Sequence, residues 1–501
     1  MKRQLKLNSI TSVITTLFTI LNGLIVAKLI LESYGSDMNG LTQSITHFLS
    51  FANILNFGIA SVVATALYKP LVDKDYAKIS SVVAFSKKYF NLIAKLMVVY
   101  VCILMLFSRI IISDKYPRTL LWPLVIVIGL TVITQGVLGT AYKSVFIADQ
   151  MGYIVNTFSM IAIFASTVVS VMFIKSGASI IAVKAVPFTM YSIFNIAIRK
   201  TVIKKYRLDC NILCSDNPVK QKKNAVVHHI ASVILNETDV IVLTMFSSLQ
   251  NVSIYTVYNF VAGSLRTFIE GFFSGFQPLF GELLARNDKD GLARVFKQYE
   301  WILHFAVVII FGSASVLITP FVMLYTEKTG DISYYHPVFG MFIVSASALI
   351  CLRLPYTGLT FAAGKYKETQ MLFIIPMAVN VMLSVIAVRK YNLTGIAAAT
   401  CAAVILQTAV LSRYIYRKIL KMNFSTIIKQ LAADFLIIAG AYIALNYLGM
   451  KADSWGGLAI CGIKCVVVYF ILSITIHIFL FRSKLYFLFR EVAGVFRKLK
   501  I

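Results

Sequence analysis

Arg266 and Glu270 stand four residues apart near the middle of Val252–Leu284, an apolar stretch long enough to cross a bilayer. Tyr255, Asn259 and Gln277 lie on either side of them, so the five follow one another at spacings of four, seven, four and seven. At about 100° per residue they fall within a sector of roughly 60–80°. An arginine at this depth costs about 3 kcal/mol on insertion scales, so the stripe must face water, a partner or a ligand rather than lipid. Two chemistries fit. A guanidinium presents a planar fork of donors to phosphate or carboxylate, which makes the stripe one wall of an anion-binding cavity. Alternatively, Arg266 and Glu270 neutralise each other as an i,i+4 pair that glues helices together.

Other polar groups lie at similar depth. Arg353 is deep in its apolar run, and Lys28 is about one turn from the end of its own. Lys95, Arg109 and Lys184 lie close enough to the ends of theirs to snorkel to an interface, and Lys464 is intermediate. Gln43, Thr46, His47, Ser50 and Asn53 share a face, as do Asn8, Ser12, Thr15, Thr19 and Asn22. His228, Ser232, Asn236 and Asp239 form a third face, with Glu237 off it. A buried carboxylate needs a proton or a cation, so Asp239 and Glu270 are the candidates for coupling to H+ or Na+; a structural hydrogen bond is the competing explanation for Asp239. Gly358 and Gly364-Lys365-Tyr366 have the wrong spacing for a phosphate-binding loop and lack its Ser or Thr, which argues against direct ATP hydrolysis. The seven cysteines are an odd number, and neither close pair has partners at zinc spacing. No resident cofactor is expected; the membrane potential is a further possible driving force.

These residues need a membrane scaffold. The chain is 58% hydrophobic, and its mean hydropathy is +0.80. It is therefore expected to be an all-α polytopic membrane protein with no soluble domain. About fourteen transmembrane helices are expected, at 10–31, 40–68, 89–112, 119–142, 153–174, 178–198, 225–247, 252–284, 299–325, 334–363, 369–388, 393–412, 427–448 and 457–481. With the N-terminus in the cytosol, 34 of the 48 Lys and Arg fall on the inner side and seven in outer loops, so both termini are expected in the cytosol. The same placement explains the net charge of +27 without nucleic acid as a partner. The outer loops are too short for an external catalytic domain.

The pattern repeats. Asp73-Lys74-Asp75 recurs as Asp288-Lys289-Asp290, and at the same offset Ala148–Tyr153 meets Ala363–Glu368. This predicts an N-terminal six-helix lobe at 1–205, a cytosolic linker at 206–223 and a C-terminal six-helix lobe at 224–420. Helices 13 and 14 follow at 421–481, and a basic amphipathic cytosolic tail at 482–501 reads as an interfacial helix on anionic lipid. Six spans per half make a parallel pseudo-repeat, one of the recurring transporter plans. Each polar face alone reads most simply as helix–helix hydrogen bonding. Their occurrence on the first two helices of both halves points to a shared central cavity.

The stretch Tyr34-Gly35-Ser36-Asp37-Met38-Asn39-Gly40-Leu41, followed by FANILNFG at Phe51–Gly58, resembles the start of the polysaccharide and O-unit flippases. These belong to the multidrug/oligosaccharidyl-lipid/polysaccharide exporter superfamily. Asn236-Glu237-Thr238-Asp239, with Tyr255 and Pro278 after it, carries the same resemblance, which covers most of the chain. It implies a secondary-type carrier in the bacterial cell membrane, not an enzyme. The implied substrate is undecaprenyl-pyrophosphate-linked oligosaccharide, moved from the inner to the outer leaflet, with membrane lipids and other polysaccharide assembly proteins as partners. Relatives that flip lipid-linked cell-wall precursors carry cavity-facing basic residues on helices 1 and 8, for which Lys28 and Arg266 are the candidates here. The basic residue that some carry on helix 2 has no Lys or Arg equivalent, and His47 is the nearest substitute. The expected substrate-binding set is Arg266, Lys28, Arg353, His47, Asn259 and Gln277. A multidrug/cation antiporter on the same fold and, more distantly, a membrane glycosyltransferase or polymerase are the competing functions. Deep Arg266 and Arg353 disfavour the first, and the lack of a large outer loop or carboxylate-rich surface site disfavours the second. A purely structural scaffold would not need charged stripes at mid-membrane.

Overall fold

The structure, a computed structural model, describes residues 2–56, 59–209, 223–273, 276–449 and 452–480. Most of the expected linker, all of the expected basic tail, and the Phe57-Gly58 end of the FANILNFG stretch lie outside the described residues. Every regular element among the described residues is helical. In order these are α1 (Lys2–Phe51), a 3-10 turn (Ala52–Asn56), α2 (Ile59–Val72), α3 (Tyr76–Ile111), α4 (Arg118–Gly136), α5 (Thr140–Ala148), α6 (Gly152–Lys175) and α7 (Ile180–Tyr206). They continue with α8 (Lys223–Phe246), α9 (Leu249–Phe273), α10 (Phe276–Ala285), α11 (Lys289–Tyr325), α12 (Pro337–Leu352), α13 (Leu354–Ala362) and α14 (Tyr366–Tyr414). A π turn (Ile415–Leu420), α15 (Ser425–Tyr447) and α16 (Trp455–Leu480) complete the series. Eleven helical stretches among the described residues are long and apolar enough to cross a membrane. The protein is a multi-pass, all-α membrane protein.

Two expected loops are breaks inside longer helices. The first expected span and residues 40–51 of the second, which continues in the 3-10 turn and α2, run on as α1, interrupted at Gly35, whose φ of 81° and ψ of 171° suit glycine alone. The helix restarts at once because Asp331 acts as its cap, accepting the Ser36 N–H at 2.7 Å and the Ser36 hydroxyl at 2.8 Å. Expected spans 11 and 12 likewise run on as α14, broken at Asn392 (φ 44°, ψ −125°). The stretch Val252–Leu284 is described as α9 and α10, so Gln277 stands on a separately described helix from Arg266.

The order of elements repeats. Lys74 and Asn287 both take a φ of 55°, and the next residues, Asp75 and Asp288, cap the long helices α3 and α11. Asp75 accepts from the Lys78 N–H at 3.0 Å, and Asp288 from the Gly291 N–H at 2.8 Å. The Lys78 N–H, aided by the Lys78 charge, holds the Asp75 carboxyl below the usual carboxylate range. In the fold, then, Asp75 matches Asp288, two residues away from the register that the Asp-Lys-Asp motif implied. The nine-residue helices α5 and α13 each precede a left-handed residue, Gln150 and Gly364, before α6 and α14 begin.

By packing, the chain forms two compact units. The first comprises Met1–Thr256, Lys328–Ile332 and Val385–Asn392. Its apolar core draws on Leu41, Ile45, Val63, Leu67, Val125, Val145, Phe146 and Val202. Within it, α1 is pinned to α6 by the face that the sequence marked as polar. Asn8 binds the carbonyl of Gln150 (3.0 Å) and the N–H of Tyr153 (2.7 Å), and Thr15 donates to the carbonyl of Asn156 (3.2 Å). Thr167 donates to the Asn22 side-chain oxygen at 2.7 Å. These bonds replace water that the bilayer lacks, so most of this face serves assembly. The second unit comprises Val257–Glu327, Ser333–Ser384 and Leu393–Ile501. Val308 of α11, Ile437 and Ala441 of α15, and Cys465 and Tyr469 of α16 form one of its apolar clusters.

Candidate functional site

In the second unit, α9 carries Arg266 and Glu270, and Arg353 occupies the junction of α12 and α13. The Arg353 backbone stays near helical values (φ −77°, ψ −19°), so its side chain leaves an almost continuous helix. It donates through Nη1 to the side-chain oxygen of the fully buried Gln407 on α14. Arg266 Nε lies 3.8 Å from Glu270 Oε1, beyond hydrogen-bond length, and makes no hydrogen bond among the described residues. Arg266 and Glu270 are both close enough to act electrostatically on Arg353. Arg266 retains 26% and Glu270 42% of its side-chain exposure, so this is not a sealed ion pair. Asn259 is half-buried and makes no hydrogen bond among the described residues, while Gln277 is exposed on α10 beside Gly358 of α13.

The other expected site residues fall in the first unit. Lys28 lies 3.9 Å from Glu32 on the same helix. His47 Nδ1 lies 2.7 Å from Glu237 Oε2. The Tyr255 hydroxyl donates at 2.8 Å to Asp239 Oδ2, and Asp239 is 3% exposed. Tyr255 thus turns to Asp239 rather than joining Arg266. Neighbouring contacts extend this ladder along the second part of α1. Asn39 donates to Ser253 (2.8 Å), Ser44 and Thr244 share a hydrogen bond (2.7 Å), and His229 meets the Asn53 carbonyl (3.1 Å). At Gly40 the Leu249 carbonyl comes so near that an added Cβ would lie 1.8 Å from its oxygen.

Several polar groups carried no signal that sequence reasoning used. Glu237 was set aside because it left the shared face of its helix; a carboxylate opposite the lone histidine of the facing helix was the available clue. Glu300 accepts from Tyr356 and Tyr416, each at 2.6 Å, and His304 Nδ1 lies 2.5 Å from Asp434 Oδ2. Both clusters are buried and internally satisfied, which fits a structural role. A cavity of about 1090 Å³ in the second unit is lined mainly by apolar groups of α11, α12, α15 and α16, among them Leu317, Pro320, Met341, Phe435 and Ile438.

No family model matches the chain, and no curated protein matches it. Solved structures do. The lipid II flippase MurJ, in an inward closed conformation, superposes with a TM-score of 0.69 at 15% identity, covering 93% of this chain and 98% of that one. The chain shares the fold of this structure. An inward-facing multidrug resistance MATE family transporter of the MOP superfamily gives 0.60 at 12% identity over 80% of this chain and 95% of its own. The eukaryotic MATE transporter AtDTX14 gives 0.58 at 13% identity over 87% and 99%. At these identities the likeness concerns the fold alone.

Proposed function

We infer that the protein is a flippase that moves undecaprenyl-pyrophosphate-linked oligosaccharide from the cytoplasmic to the outer leaflet for surface polysaccharide assembly. The observation that carries this reading is the arginine cluster: Arg266 and Glu270 both lie within electrostatic range of Arg353, and Arg266 Nε makes no hydrogen bond among the described residues. An excess of positive charge at membrane depth calls for an anion, and a pyrophosphate supplies oxygens for both guanidinium forks. Asn259 and Gln277 would add neutral donors there; Lys28 and His47 are proposed as further substrate contacts, and Asp239 and Glu270 as the groups that couple transport to a cation. The apolar cavity along α11, α12, α15 and α16 can take a prenyl tail. An inside-negative potential favours outward movement of the anion by about 2.3 kcal/mol per charge per 100 mV across the full field.

The lobes proposed for alternating access are 1–205 and 224–420, with helices 13 and 14 added. The repeated element order supports them. The charge bias supports cytosolic termini in a bacterial plasma membrane. Deleting the gene should make lipid-pyrophosphate-linked oligosaccharide accumulate on the inner leaflet while surface polysaccharide falls. Unchanged polysaccharide together with lost export of cationic drugs would overturn this reading in favour of a multidrug transporter.

A further inference from the structure

The first unit contains a cavity of about 510 Å³ that none of the expected site residues except the neighbourhood of His47 foreshadowed. Its wall is chemically distinct from the apolar cavity of the second unit. Asn22, Gln43, Asn53 and Gln135 contribute amides, and Thr46, Ser50, Thr131, Ser166 and Tyr191 contribute hydroxyls. Lys184 of α7 is the one cation among the described lining residues. Near the end of an apolar run, this lysine was expected to snorkel to the interface, yet it lines the cavity instead. Lys184 has no hydrogen bond or ion pair among the described residues, and no carboxylate acts on it. The side chains of Gln43, Ser50, Gln135 and Tyr191 also make no hydrogen bond among the described residues. Half-buried at Gln43, Ser50, Lys184 and Tyr191 and exposed at Gln135, these groups are open to the donors and acceptors of a ligand.

We propose that this cavity binds a sugar unit bearing one anionic group, a carboxylate or a phosphate, with Lys184 pairing the anion and the surrounding amides and hydroxyls meeting the ring hydroxyls. The size lies within the range of small-molecule sites. Side-chain amides both donate and accept, which suits neighbouring sugar hydroxyls that do the same. Tyr191 and Pro187 add apolar surface for the C–H face of a ring. A lone ammonium matches one carboxylate or one phosphate, not the paired charges of a pyrophosphate, which separates this site from the arginine cluster. The proposal deepens the flippase reading by giving its substrate an acidic sugar.

The test is direct binding to the full-length protein in nanodiscs, read as ligand-dependent thermal stabilisation. The probes are glucuronate, glucose 6-phosphate, glucose and inorganic phosphate, so that carboxylate and phosphate sources are separated. At least one acidic sugar should bind about tenfold or more tightly than glucose, and more tightly than inorganic phosphate. Lys184→Met should remove that preference while leaving glucose binding in place, and Lys184→Arg should retain it. Should Lys184→Met not fold, Gln135→Ala is the second variant and should weaken glucose and acidic sugar alike. Equal binding of glucose and both acidic sugars by the wild type, an unchanged preference in Lys184→Met, or tighter binding of inorganic phosphate than of either acidic sugar would each overturn the proposal. Binding does not require flipping. Acidic-sugar binding that persists where gene deletion leaves polysaccharide unchanged would keep the site and discard the flippase reading.

Discussion

Neutralising Glu270 separates the two roles open to Arg266. The Arg266–Glu270 distance of 3.8 Å leaves a Coulomb attraction without a hydrogen bond. At that separation the attraction is about 1 kcal/mol in a water-like medium and about 4 kcal/mol at an effective dielectric near 20. With 42% of the Glu270 side chain exposed, the water-filled limit is the better guide. Glu270→Gln should therefore release about 1 kcal/mol of Arg266 attraction to an incoming anion, an affinity gain of about fivefold for a short-chain prenyl pyrophosphate. Arg266→Ala should fold normally yet lose one charge-assisted hydrogen bond, lowering affinity by roughly 10- to 150-fold. Arg266→Lys should retain part of the activity, because a point charge replaces a bidentate fork. The assays are binding to protein in nanodiscs, and surface polysaccharide in a flippase-deficient strain normalised to folded protein in the membrane. If the pair is structural glue, both single variants should fold poorly, and the double alanine variant should regain folding and function together. A double alanine variant with wild-type transport would refute the ligand role, and weaker anion binding by Glu270→Gln would refute the charge argument.

Two further outcomes follow from the geometry and a third from the charge bias of the sequence. Gly40→Ala should lower folded yield and melting temperature by the equivalent of about 3 kcal/mol, because the new methyl group meets the Leu249 carbonyl rather than a movable side chain; an unchanged melting temperature would contradict the close approach. His304→Ala should destabilise by about 3 kcal/mol because it strands the buried Asp434 carboxylate, whereas the double change to leucine should recover most of the loss; transport that fails while stability holds would instead assign the pair a functional role. Cys210 and Cys214, in a variant without the other cysteines, should react with an impermeant thiol reagent only after cells are opened, and labelling in intact cells would reverse the orientation.

Hydropathy and charge determined much of this protein without a fold. A chain that is 58% hydrophobic with basic residues clustered at the ends of apolar runs has to be a multi-pass helical membrane protein, since bilayer insertion depends on composition and length. The placement of Arg266 and Glu270 on one helix and the recurrence of a capping aspartate were also legible, because helical periodicity and capping are local properties; Tyr255 left that stripe for Asp239, and the capping register differed by two residues. The fates of the side chains were not. Asp239 goes to Tyr255, His47 to Glu237 and Arg353 to Gln407, and each pairing joins residues far apart in sequence or on facing helices. Nor did composition distinguish the breaks at Gly35 and Asn392 from loops, since the conformation of one residue and a cap from the distant Asp331 decide whether a helix stops or resumes. Lys184 shows the same limit most plainly. Its position in the chain fits an interfacial lysine, and only the packing of α1, α4, α6 and α7 opens a polar cavity within its reach. Periodicity assigns a residue to a face of its own helix; what that face meets depends on long-range packing that no local pattern encodes.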